Sequence, residues 1–125
     1  MRSSSGWAKS LLTCVRAATR QRAPASLRFV AVGGASVGAA SLQAARAQGI
    51  PAYEGYGLSE GASVQTLNLP GADQPGSAGR PLPHSRVRAN AQGELEIAGS
   101  LMTGYLGTAE AVPAWWPTGD LGHID

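Results

Sequence analysis

A chain of 125 residues with 43% hydrophobic and 14% charged positions is about one small globular domain with a single modest core, not a disordered or fibrous segment. Its single cysteine, Cys14, excludes an internal disulfide framework or thiolate cluster, and no apolar stretch reaches the length of a membrane span, so the default expectation is a cytoplasmic protein. The formal net charge of +2 hides an asymmetry, with seven basic and no acidic residues before Glu54, but the cations are spread singly, which points to a solvated face rather than a nucleic-acid partner.

Met1 to Arg22 is rich in Ser and Arg and free of acids, a composition shared with organellar transit peptides. The preferred reading is an amphipathic helix, because Trp7, Ala8, Leu11, Leu12, Val15 and Ala18 recur at helical spacing, while Arg16 interrupts any secretory signal. Leu27 to Val32 is a short apolar run after Pro24, closed by Gly33-Gly34, and reads as a buried strand. Ser41 to Gln48 reads as a helix stopped by Gly49, and Ile50 to Tyr56 as a second strand, giving a parallel, right-handed β-α-β unit. Val64 to Leu69 reads as extended, and Leu69 to Gly79 as a connector. From Pro70 onward, Pro and Gly punctuate short segments, and Arg86 to Ala89, Glu94 to Ala98 and Leu121 to Ile124 read as antiparallel strands of a small barrel or sheet. The expected division is therefore 1–26 helix and linker, 27–69 β-α-β segment, and 70–125 short-stranded β subdomain.

Among chemical patterns, Gly57-Leu58-Ser59-Glu60-Gly61 satisfies the G-x-S-x-G nucleophile elbow, with Asp120 and His123 following in hydrolase order and Gly33-Gly34 as a possible oxyanion hole. The context is wrong, since Glu54 and Gly55 precede the turn, an extended segment follows it, and Asp120 and His123 are only three residues apart. A small serine hydrolase using Ser59 is kept as the third reading. His84 and His123 have no partner at ligand spacing, and Lys9, the only lysine, belongs to no phosphate-loop pattern.

Seven short motifs occur in order: Leu27-Arg28-Phe29-Val30, Gly33-Gly34-Ala35, Tyr56-Gly57-Leu58-Ser59-Glu60, Gly76-Ser77-Ala78-Gly79-Arg80-Pro81, Gly93-Glu94-Leu95, Gly104-Tyr105-Leu106-Gly107 and Thr118-Gly119-Asp120. In this order and spacing they resemble the adenylate-forming (AMP-binding) ligases: acyl-CoA synthetases, luciferases and the adenylation domains of peptide synthetases. The resemblance implies an α/β fold, a β-α-β unit of the large N-terminal domain followed by the small barrel subdomain. It also implies ATP and Mg²⁺ as cofactors and coenzyme A or a carrier-protein thiol as acceptor.

Residue by residue, the resemblance places adenine between Gly33, Gly34, Ala35 and the ring of Tyr56, with Gly57 completing that turn. Small residues let the backbone approach the base, and the ring offers a stacking face. It gives Ser59, where the family commonly has Thr, a hydroxyl hydrogen bond to the α-phosphate, and Glu60 a hard oxygen for Mg²⁺. Asp120 would hold the ribose hydroxyls, and Gly55 would line the acyl pocket. Gly76, Gly79, Gly93, Gly104 and Gly107 read as turn formers, and Trp115 and Trp116 as packing under an Asp120 loop. No residues match the lysine-bearing phosphate loop expected upstream, or the arginine, hinge and catalytic lysine expected downstream. The expected function is thus a central fragment of an ATP-dependent carboxylic acid ligase, inactive without the remainder of the enzyme, acting on a carboxylic acid that is guessed to be fatty. A non-catalytic nucleotide-binding or interaction module is the alternative.

Overall fold

The computed structural model describes residues 23–34 and 36–125. The amphipathic helix read over Met1 to Arg22, with Lys9 and Cys14, and the adenine-loop residue Ala35 lie outside the described residues.

The fold is mixed α/β. Strand β1 (Val30–Val32) leads to helix α1 (Ala39–Ala47) and strand β2 (Ala52–Tyr56). A single turn of 3₁₀ helix (Ser59–Gly61) follows, then β3 (Thr66–Leu67), β4 (Arg80–Pro81), β5 (Ser85–Ala89), β6 (Glu94–Gly99) and β7 (Trp116–Leu121). One sheet has the order β1-β2-β3-β4 and the other the order β5-β6-β7. The chain divides into two compact units that are interleaved in sequence rather than consecutive: residues up to Tyr56 with Leu67–Arg80, and Gly57–Thr66 with Pro81–Asp125. The sequence-derived seam at 69/70 marks a change of texture, whereas the chain crosses between the units at 56/57, 66/67 and 80/81.

The first unit is built by apolar periodicity. Strands β1 and β2 pair in parallel with Val32 opposite Glu54, as the β-α-β reading expects, although β1 is shorter than the apolar run Leu27 to Val32. Helix α1 buries Leu42 and Ala45, three residues apart and so on one face, against Val32, Val37, Ile50 and Ala52. It ends where Gly49 predicts. The Ile50 N–H bonds the Ala45 carbonyl at 3.0 Å and the Gly49 N–H that of Arg46 at 2.9 Å, the double bond pattern of a Schellman C-cap, with Gly49 left-handed at φ 75°. Arg46 in the last turn reaches the Ala52 carbonyl (2.9 Å) and Asp73 (2.7 Å) and lies over the Tyr53 ring.

The loop between β3 and β4 is organised by buried Asn68. Its amide nitrogen donates to the carbonyls of Glu54 (3.1 Å) and Ser77 (2.6 Å), and its oxygen accepts the Gln74 N–H (2.9 Å). The segment read as a mere connector is therefore pinned from its base.

The second unit is an antiparallel sheet. Strand β5 pairs with β6 from Ser85 opposite Gly99 to Ala89 opposite Leu95. The third strand differs from expectation: it is Trp116–Leu121, not Leu121 to Ile124. Pro117 is tolerated because β7 is an edge strand, where a missing N–H leaves no ladder bond unmade. The five glycines read as turn formers all adopt positive φ. No described helix is long and apolar enough to cross a membrane.

Candidate functional site

In the first unit, parallel pairing sets the carboxyl ends of β1 and β2 side by side. Gly33 follows β1 directly, and a Cβ built on it would lie 3.2 Å from the Gly55 carbonyl oxygen, so the structure brings these two predicted site residues together. Tyr56 closes β2, and Gly34 is left-handed at φ 85°. Glu54, which sequence reading treated only as an obstacle to a hydrolase elbow, holds this loop. Its carboxylate accepts the Val37 N–H at 2.9 Å, tying the segment after Gly33-Gly34 to the end of β2.

In the second unit, Gly57, Ser59 and Glu60 form one turn. Leu58 is extended (φ −143°, ψ 159°), Ser59–Gly61 make the 3₁₀ turn, and Ala62 and Ser63 are both left-handed. A Cβ at position 57 would run into the Ser63 carbonyl, and one at position 61 into Gln65 and Ile97. Close packing therefore accounts for glycine at both places. Ser59 is exposed and Glu60 half-buried.

The Glu60 carboxylate accepts the Tyr105 hydroxyl at 2.5 Å, and the Glu60 carbonyl accepts the Met102 N–H at 2.7 Å. The tyrosine hydrogen bond, aided by a backbone one and opposed by slight desolvation, holds the Glu60 carboxyl below its usual value; the same bond raises the Tyr105 phenol. Glu60 is thus ionised at neutral pH. Tyr105 also packs edge-on against Trp116 with ring centroids 6.2 Å apart, joining the Glu60 turn to the strand that carries Asp120.

Thr118-Gly119-Asp120 is not a loop but the irregular middle of β7. Between the pairs Glu94 with Leu121 and Glu96 with Pro117 the register shifts, and Gly119 takes φ 77° at the bulge. The Thr118 hydroxyl donates to the Leu95 carbonyl (2.8 Å) and accepts the Asp120 N–H (3.1 Å), while Glu94 accepts the Gly119 N–H (3.0 Å). This explains why the motif needs a hydroxyl and a glycine before the aspartate, whose side chain the bulge presents at the surface. The tryptophans do not pack under a loop. Trp116 meets Tyr105, and Trp115 lies beneath the guanidinium of Arg88 at 4.1 Å and Arg86 at 5.7 Å.

The hydrolase elbow is not built. Ser59 opens a single 3₁₀ turn that runs into two left-handed residues instead of an α-helix, and His123 pairs with Asp125 at 3.3 Å. No group of three or more His, Cys, Asp or Glu able to cage a metal occurs among the described residues. Glu60, ionised and within reach of solvent, is a hard-oxygen donor of the kind that Mg²⁺ takes alongside substrate phosphates. A shallow groove of about 590 Å³, lined by Arg88, Asn90, Gly93, His123 and Ile124 among others, includes none of the residues expected to hold nucleotide, Mg²⁺ or acid.

A β-α-β unit with small residues at adjoining strand ends belongs to the α/β proteins that take ligands at the carboxyl edge of a parallel sheet. The profile of the AMP-binding enzyme family matches residues 6–106, and the chain belongs to that family. It is 34% identical over 138 aligned positions to the 2-succinylbenzoate–CoA ligase of Bacillus cytotoxicus, covering 94% of this chain and 28% of that protein. It is 34% identical over 104 positions to a long-chain-fatty-acid–CoA ligase of Mycobacterium bovis, covering 78% of this chain and 17% of that protein. Among solved structures, the o-succinylbenzoate coenzyme A synthetase of Bacillus subtilis in complex with ATP and magnesium ion superposes with a TM-score of 0.77 at 26% identity, over 94% of this chain and 28% of that one. The chain spans about a quarter of the length of the 2-succinylbenzoate–CoA ligases it matches.

Proposed function

We propose that this chain is the nucleotide-holding segment of an ATP-dependent carboxylic acid–CoA ligase. The observation that carries the reading is Glu60, an ionised carboxylate aimed by Tyr105 and set in a one-turn helix four residues after Tyr56, within a family match spanning most of the chain. Gly33, Gly34 and Ala35 with Tyr56 bind adenine, Ser59 donates to the α-phosphate, Asp120 holds the ribose, and Gly55 borders the acid. Mg²⁺ held on Glu60 and the phosphates would neutralise charge there. In the whole ligase, a carboxylate oxygen attacks the α-phosphorus, pyrophosphate leaves, and the acyl-adenylate passes its acyl group to the thiol of coenzyme A or a carrier protein. The chain by itself binds nucleotide without completing that chemistry, and its setting is the cytoplasm. Relatives named for an aromatic succinyl acid and for long-chain fatty acids leave the substrate at the level of a carboxylic acid.

Titration calorimetry tests this on the 125-residue chain. Adenosine and Mg·ATP should both bind, and Glu60→Gln should weaken Mg·ATP while sparing adenosine. Absence of any nucleotide binding overturns the reading. Carboxylate-dependent exchange of pyrophosphate into ATP by the chain alone would overturn its incompleteness.

A further inference from the structure

The turn that carries Ser59 and Glu60 is not one the backbone prefers. Ala62 (φ 64°) and Ser63 (φ 81°) are left-handed without being glycine, a conformation that is strained for L side chains and persists only where the surroundings over-determine it. The backbone supplies part of that constraint, since the Leu58 carbonyl accepts the N–H groups of Gly61 and Ser63, each at 3.1 Å.

Met102, through its N–H on the Glu60 carbonyl, and one buried side chain add to it. Gln65 is 1% exposed and, with Ile97, among the largest fully buried side chains. Its Oε1 accepts the Leu58 N–H at 2.8 Å and its Nε2 donates to the Gly61 carbonyl, so the carboxamide bridges the two ends of the Leu58–Gly61 segment. Its own carbonyl accepts the Leu82 N–H at 2.9 Å, which anchors the bridge. Replacing the hydrogen at Gly61 with a methyl would strike this carboxamide and Ile97, so the glycine is there to admit the bridge. Glutamine both accepts from one end of the turn and donates to the other; an ionised glutamate only accepts, and methionine offers no donor and only a weak acceptor.

We propose that Gln65 is the positioning residue of the phosphate and metal end of this site: its buried carboxamide is the internal template that fixes the backbone from which the Ser59 hydroxyl and Glu60 carboxylate project, and Tyr105 then aims the carboxylate. Gln65 touches no substrate. The inference rests on the nucleotide reading above for what Ser59 and Glu60 hold, and on geometry alone for what holds them.

Gln65→Met keeps the side-chain length and removes both hydrogen bonds. Exchange of the Leu58 amide proton, followed by NMR, should accelerate by about tenfold or more while the β5–β6 ladder keeps its protection. Mg·ATP affinity should fall by about tenfold, with adenosine, which reaches neither Ser59 nor Glu60, unchanged. Unchanged Leu58 exchange, or equal losses for adenosine and Mg·ATP, would overturn the proposal. If the variant does not fold, the native chain decides: slowly exchanging Gln65 Nε2 protons support the bridge, and rapid exchange refutes it. If the native chain binds neither ligand, the proposed function falls, and Leu58 exchange still decides whether Gln65 sets the turn.

Discussion

The two compact units reach order by different means. The first closes over six buried apolar side chains, from Val32 to Ala52, brought together by helix and strand periodicity, with Asn68 the buried polar side chain among its described residues. In the second, Ile97 and Ala98 are the buried hydrophobic residues, joined by buried Gln65, Thr66 and Ser85. Apolar burial is forgiving about geometry, because methyl and methylene groups attract without direction. Hydrogen bonds to buried amides are directional, and an unmet partner carries the full desolvation penalty. The turn bearing Ser59 and Glu60 is held by the second kind of force, and the bulge bearing Asp120 by directional bonds to the Thr118 hydroxyl and the Glu94 carboxylate. Groups that must point in fixed directions are thus set by directional contacts.

Substitutions can break or sharpen this contrast. The largest effect is expected at Gly57→Ala, where the new methyl meets the Ser63 backbone rather than a movable side chain. A loss of about 3 kcal/mol or more, read by urea denaturation, follows from strain of that kind; a well-folded Gly57→Ala chain would refute the packing account of this glycine. Leu42→Ala should remove about 2–4 kcal/mol by leaving a cavity in the apolar unit. Amide exchange should then rise in β1, α1 and β2 while Gln65 and Leu58 keep their protection; uniform acceleration would mean that the units unfold together. Asn68→Ala should cost about 1–3 kcal/mol, because it leaves the Ser77 carbonyl and the Gln74 N–H unpaired. Its exchange signature should centre on residues 69–79.

Tyr105→Phe is the mildest change and the most informative about charge. The Glu60 carboxyl should climb back toward the usual carboxylate value in a carbon-detected NMR titration. In the native chain, the contribution of this bond is fully present above the unfolded pKa of Glu60 and fades as pH falls through the lowered folded value. On the alkaline side the phenol keeps its proton past the ordinary tyrosine value, so the contribution is present below the unfolded pKa of Tyr105 and is lost as pH rises through the raised folded one. The phenylalanine variant should lack both limbs.

Sequence alone determined the β-α-β unit, the stop at Gly49, the first two antiparallel strands and the family, because these follow from local periodicity, from turn chemistry and from motifs that stay contiguous in the chain. Tertiary structure decided how the motif residues are held. The third strand moved to Trp116–Leu121 because an edge position absorbs Pro117 and a bulge absorbs Gly119, and both depend on the neighbouring strand. Gln65, Thr66, Leu67 and Asn68 read as an undistinguished extended run, yet Gln65 and Asn68 each bind backbone at separate points in the chain. Glu54 looked like an interruption, and Tyr105 like part of a turn motif 45 residues from Glu60. A polar side chain's partner is fixed by direction and distance in space, and no period or spacing along the chain encodes that.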